Sequence, residues 1–139
     1  MSASAQLEPI FRKPYILGGN ATITVVSKES GTRFTYRIRA KEVDNDRTLH
    51  FVSVLRGPEN TSDYTFLGTV FPDGNYRHGS RSKVAADAPS AKAFAWLWTH
   101  LDSDKIEIWH SGACSRCGRK LTTPESIERG LGPVCAGRN

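Results

Sequence analysis

All three cysteines of this chain fall in its last thirty residues, as Cys114, Cys117 and Cys135, and His110 stands four positions before the first of them. Cys114 and Cys117 form a C-x2-C pair, a spacing that lets one turn aim two thiolates at the same point. Gly118, directly after the pair, removes a Cβ where backbone amides approach the sulfurs. With 17 residues between Cys117 and Cys135, the full pattern is H-x3-C-x2-C-x17-C. It offers one imidazole and three thiolates, a closed tetrahedral set that suits one structural Zn2+ per chain. A clamp of this kind dictates the path of the C-terminal chain more firmly than any propensity does.

Two readings compete with zinc: cysteines that are merely buried or free, and a redox-active C-x2-C. A thioredoxin-like motif belongs in a βαβ pattern, which is not visible around these residues, and it leaves Cys135 unexplained. Arg116, Arg119 and Lys120 would offset the charge of three thiolates. Thr122-Thr-Pro124-Glu125 starts a short helix with a capping-box pattern, Gly130 closes it, and Gly132-Pro133 turns the chain back toward Cys135. The fourth ligand stays open. His110 is the first choice, but it also continues the alternation of Ile106 and Ile108, as a core histidine would. His100, His78, Asp104 and Glu107 are substitutes, and a water in that position would give an open, catalytic type of site.

The 139 residues suffice for one modest core and a small metal-stapled appendage, not for two full domains. At 38% hydrophobic and 24% charged, the composition is that of a folded globular chain and not a disordered one. No apolar run approaches the roughly 18 residues that span a bilayer. Met1-Ser-Ala-Ser-Ala-Gln-Leu-Glu-Pro has no basic stretch followed by an apolar one, so no secretory signal is expected. An odd cysteine count without such a signal argues against a disulfide framework and for a reducing, cytoplasmic compartment.

Period-two alternation marks the next layer. Residues 1–13 read as a loose arm. Thr22–Val26 and Thr32–Arg39 form a hairpin around Ser30-Gly31, with Phe34, Tyr36 and Ile38 on one face and Arg33, Thr35, Arg37 and Arg39 on the other. Val43–Arg47 is an acidic loop. Further strands are expected near Leu49–Leu55, Tyr64–Phe71 and Tyr76–His78, separated by Gly57-Pro58-Glu59-Asn60 and Pro72-Asp73-Gly74-Asn75. Asp87 can cap a helix whose first turn takes Pro89 and which propagates over Ala91–Leu101. Phe94, Leu97, Trp98 and Leu101 make its core stripe. Trp96 points the other way, with Lys92, Thr99 and His100, either packed under the zinc module or the arm, or exposed at a partner-binding surface. Lys105–His110 alternates as a last strand and runs straight into the cysteine segment. The expected architecture is α+β: an antiparallel β-meander sheet over 14–109, one packed α-helix, and a zinc-ribbon-like module at 110–139 docked on the sheet.

The C-terminal run carries a resemblance. C-x2-C-G-R-x-L from Cys114, P-x-S from Pro124 and G-x-G-P-x-C from Gly130 are together similar to a small zinc-ribbon-type family of unknown function. That family is found mostly in bacteriophage and prophage proteins, often as a C-terminal module. The resemblance covers about residues 109–138. It implies metal binding and a phage or prophage origin, hence the cytoplasm of a bacterial host, and it implies no reaction.

The net charge of +5 is unevenly spread. Arg33, Arg37, Arg39 and Lys41 form a run without acids; residues 42–75 are net acidic; Arg77, Arg81 and Lys83 form a second basic cluster. Tyr76–Lys83 reads as a flexible basic loop able to contact phosphates and stack a base. With Arg116, Arg119 and Lys120 at the knuckle, these residues favour backbone-directed nucleic-acid binding, although separated basic patches also occur as plain solvated faces. Scattered His50, His78 and His100, and no nucleophile elbow, H-E-x-x-H, P-loop or deaminase motif, argue against an enzyme. The other reading is a phage-encoded inhibitor of a host protein, such as an anti-defence or anti-CRISPR type protein, using Trp96 as an apolar anchor.

Overall fold

A computed structural model describes residues 6–43, 47–57 and 63–110 of the chain. The elements run α1 (Pro9–Ile16), β1 (Asn20–Ser27), β2 (Arg33–Val43), β3 (Arg47–Leu55), β4 (Tyr64–Val70), β5 (Tyr76–His78), α2 (Pro89–Thr99) and β6 (Ile106–His110). The alternating segments pair as an antiparallel meander from β1 to β5. α2 then crosses one face, and β6 joins beside β1, giving the order β5-β4-β3-β2-β1-β6. The α+β class and the antiparallel sheet agree with the expectation from sequence.

Tight turns make the meander. Gly31 N–H donates to the Ser27 carbonyl at 2.8 Å, closing β1 onto β2. Between β4 and β5, Gly74 takes a φ of 87°, which an L side chain rarely adopts. The Asp73 carboxylate there accepts from the backbone N–H of Asn75 at 3.0 Å.

One face of the sheet holds the core. Tyr36, Ile38, Val52, Val54, Ile23 and Ile108 point into it and are fully buried. Phe94 of α2 meets Tyr36 edge-on at 5.0 Å and Tyr76 at 4.8 Å, tying β2 and β5 to one helix. Burying a ring of this size contributes roughly 2–3 kcal/mol. Tyr36 donates its hydroxyl to the Ser90 carbonyl at 2.7 Å, and Trp98 Nε1 donates to the Gly74 carbonyl at 2.8 Å, so both ends of α2 are pegged to the sheet. Ala88, not Asp87, is the N-cap of this helix, with no side-chain cap bond; Pro89 follows at its start as expected.

The loose arm is a correction. Residues 6–13 belong to the folded unit: Gln6 bridges to Trp109, Leu7 is 1% exposed, and α1 begins at Pro9. The cause is Arg12, only 3% exposed. Its guanidinium donates to the carbonyls of Leu101 (2.8 Å), Ser103 (2.7 Å) and Ile106 (3.2 Å), with Nε 3.4 Å from that of Leu7. One planar fork thus joins the N-terminal segment, the end of α2 and the start of β6. The expectation of one packed helix becomes two, α1 and α2, both on the core face. The domain boundary expected at residue 14 accordingly falls inside α1.

Candidate nucleic-acid interface

The opposite face of the sheet carries no helix among the described residues. Register determines which side chains stand on it. Arg33, Arg37 and Arg39 alternate with the core residues of β2, and their partners on β3 include Ser53 for Arg37 and Phe51 for Arg39. A bulge then changes the phase of β4: Val52 faces Gly68, whereas Ser53 faces Phe66, so Leu67 is an extra residue driven into the core at 0% exposure. The shift puts Phe66 and Thr69 on the open face together. Thr69 pairs with Arg77 of β5, which carries that arginine to the same side.

The face therefore interleaves cations with rings. Arg37 lies over Tyr64, its guanidinium carbon 4.2 Å from the ring centroid, and Arg77 lies 5.3 Å over Phe71. Phe51 and Phe66 meet edge to face at 6.2 Å. Burial pulls the Arg39 guanidinium below its ordinary value, and repulsion from Arg37 adds to the shift; the groups acting the other way are Tyr64 and Tyr15, with no carboxylate among them. Glu107 stands at the far β6 edge of the same face, where it accepts from Trp109 Nε1 at 3.2 Å.

The segment after β5 differs from the flexible loop expected. Gly79 N–H donates to the Leu67 carbonyl at 2.9 Å, Ser82 Oγ donates to the Phe66 carbonyl at 2.6 Å, and Val84 N–H donates back to Ser82 Oγ at 3.1 Å. These bonds lash the loop to β4 and hold Arg81 beside Arg77. Phe66, Thr69, Phe71, Arg77, Ser80 and Arg81 line a basin of about 350 Å³ there. Lys83 is exposed two residues beyond Arg81. Arg116, Arg119 and Lys120 lie outside the described residues.

Sequence reasoning missed Phe51, Tyr64, Phe66 and Phe71 as members of this surface. The alternation of Leu49, Phe51, Ser53 and Leu55 against Val52 and Val54 is a signal that finds Phe51. Nothing local finds Phe66, because the bulge is set by pairing.

The zinc set meets the described structure at a single residue. His110 ends β6, is 7% exposed, and faces the core beside Ile108, its ring 5.3 Å from that of Tyr15. The alternation noted in the sequence thus continues through it. His78 sits on β5, at the opposite edge of the sheet. His100 is exposed on α2's C-terminal end, with Nδ1 2.8 Å from the Trp96 carbonyl. Glu107 faces the other side of β6 from His110, and Asp104 is exposed before the strand. Cys114, Cys117 and Cys135 lie outside the described residues; within the described ones, no group of three or more His, Cys, Asp or Glu is placed to hold a metal.

Residues 110–139 match a family of unknown function, DUF6011. No curated protein and no solved structure matches the chain. The DUF6011 segment begins at His110 and takes in every cysteine. It overlaps the span of the resemblance drawn from the motifs, and both are families without an assigned function. Apart from His110 at the end of β6, the sheet and the two described helices fall outside the match.

Trp96 is 39% exposed and stacks flat on His100, with centroids 4.3 Å apart and planes 2° from parallel. It also lines a groove of about 500 Å³ with Val25, Phe34, Leu97 and Ile106, rimmed by Glu29 and Lys105. This groove lies where α2 meets the ends of β1 and β2, away from the basin beside β5. No described helix is long and apolar enough to cross a membrane.

Proposed function

We propose that this protein binds nucleic acid without catalysis through the open face of its sheet, and that residues 110–139 form a zinc-ribbon-type module of structural role. The observation that carries the reading is the shared face of Arg33, Arg37, Arg39 and Arg77 with Phe51, Tyr64 and Phe66. Guanidiniums neutralise phosphates, and rings offer surfaces on which bases stack. Guanidiniums stay protonated near neutral pH and phenylalanine rings carry no nucleophile, which supports binding over catalysis at this face.

In the zinc module, His110, Cys114, Cys117 and Cys135 would hold the ion, whose chemistry is that of a structural cross-link. Arg116, Arg119 and Lys120 would add positive charge close to it. The motif resemblance supports a phage or prophage accessory role in a bacterial cytoplasm.

A salt titration of binding to a labelled oligonucleotide tests the reading. The logarithm of affinity should fall linearly with that of salt, and Arg33→Ala/Arg39→Ala should flatten the slope by about 0.7 per lost phosphate contact on a single strand. Absence of binding at low salt overturns it.

Trp96 favours a second reading, in which a host protein docks on the α2 groove and the chain acts as its inhibitor. Affinity capture from host lysate with and without nuclease separates the two. A stoichiometric protein retained in both samples, and released by Trp96→Ala, supports the inhibitor.

A further inference from the structure

We propose that the open face takes single-stranded in preference to duplex nucleic acid, seating one unpaired base on Phe66 in the basin between Arg77 and Arg81. This rests on the nucleic-acid reading and narrows it to a substrate class.

Shape argues first. A duplex shows its base edges only inside grooves, and the major groove, about 12 Å wide, admits a helix or a two-stranded ribbon. Both described helices are committed to the other face through Arg12, Tyr36 and Trp98. Six strands at about 4.8 Å spacing make a plate too broad to enter a groove. On such a plate a duplex meets arginines at its phosphates and leaves the rings idle. An unpaired strand uses both, because its bases can turn down onto Phe51 and Phe66.

The basin is built for that before any ligand arrives. Gly79 lies against the Phe66 ring so closely that a Cβ at this position would collide with the ring edge. The ring is thereby backed by main chain, and the bonds from Gly79 to Leu67 and from Ser82 to Phe66 hold that backing in place. Phe71 fixes the direction of Arg77 from beneath. A volume of about 350 Å³ is at the lower end of small-ligand pockets, the size class for one nucleotide and not for a base pair. From β2 to β5 is three strand spacings, about 14 Å. A strand crossing from Arg37 and Arg39 to Arg77 would cover roughly 2–3 nucleotides, as other base-stacking sheets do.

Fluorescence anisotropy with the full chain tests this, using a labelled 12-mer DNA strand, the same sequence in RNA, and the DNA annealed to its complement. Single strands should bind at least about tenfold tighter than the duplex; the ratio of DNA to RNA reports whether a 2′-hydroxyl is read. Phe66→Leu should weaken single-strand binding by about 5- to 100-fold, leave duplex binding unchanged, and be rescued by Phe66→Trp. A strand carrying one 2-aminopurine gives a readout independent of any variant, since its fluorescence is quenched when the base stacks on a ring. Equal or tighter duplex binding, or unquenched 2-aminopurine at saturating wild-type protein, overturns the proposal while leaving the nucleic-acid reading standing. If neither form binds at low salt, both fall together.

Discussion

The guanidinium of Arg37 rests 4.2 Å above the ring of Tyr64, so β2 reaches over β3 to β4 on the open face of the sheet. The ring holds the planar cation in one place on that face, and a guanidinium so placed differs from an ammonium in shape as well as in how it stacks.

Replacing Arg37 with lysine is therefore not conservative. Arg37→Lys should keep most of the salt dependence but lose about 1 kcal/mol of binding through the missing stack and fork. Arg37→Ala should lose more and lower the salt slope by about 0.7 on a single strand. Isothermal binding at several salt concentrations checks both. Identical affinities for arginine and lysine would show that charge alone matters.

Arg12 should matter to stability and not to binding. Arg12→Met removes the donors from the carbonyls of Leu101, Ser103 and Ile106 and should cost about 3 kcal/mol. Arg12→Lys should recover only part, because one ammonium cannot span the same acceptors. Urea unfolding gives the cost, and oligonucleotide affinity of the folded variant should match wild type, since Arg12 lies under the other face.

Acid should weaken the fold through His50. Its Nε2 lies 3.2 Å from the Leu17 carbonyl, to which it donates, and burial holds its pKa below the ordinary value, with the Leu17 bond acting the other way. A base depressed in the folded state protonates first in the unfolded chain. Its stabilising contribution is present above about pH 6.5 and is lost as pH falls through the folded value. His50→Gln, which keeps a donor for Leu17, should flatten the decline in urea midpoint from pH 7.5 to pH 5. An unchanged decline would assign the acid sensitivity elsewhere.

The metal prediction is a matter of stoichiometry. Protein purified in zinc-supplemented medium should carry about one zinc per chain, and Cys117→Ser should lose it. A strong chelator should lower the Tm of wild type and leave that of Cys117→Ser unmoved. Full metal content with normal stability in the variant would remove Cys117 from the ligand set.

What could be read from the sequence follows the range of the forces involved. The strands could be read because each is a local alternation, Thr22–Val26 and Thr32–Arg39 most cleanly. α2 could be read from the spacing of Phe94, Leu97 and Trp98. α1 could not: it has eight residues and holds Pro14 internally, and a partner of Arg12 lies 94 residues away. Local pattern carries no trace of a bond that long. The arginines of the open face were visible as a run, whereas the joining of Phe66 to Thr69 and Arg77 on that face depended on the bulge at Leu67. The ordered loop after β5 was hidden for the same reason, since its anchors are carbonyls of Phe66 and Leu67 and not side chains with a signature.

The pairing of β6 with β1 also sets a schedule for synthesis. Among the described strands, β1 leaves the ribosome first and β6 last. Until β6 arrives, the Thr-Ile-Thr-Val-Val edge of β1 shows unpaired main-chain groups, an invitation to a neighbouring nascent chain. The N-terminal segment cannot shield it, because Leu7 hydrogen-bonds to Ile108 and Arg12 to Ile106, both within the same late strand. A translation product that stops short of residue 106 keeps that edge bare and should accumulate in inclusion bodies, whereas the chain that continues seals its own edge just before the cysteine segment emerges.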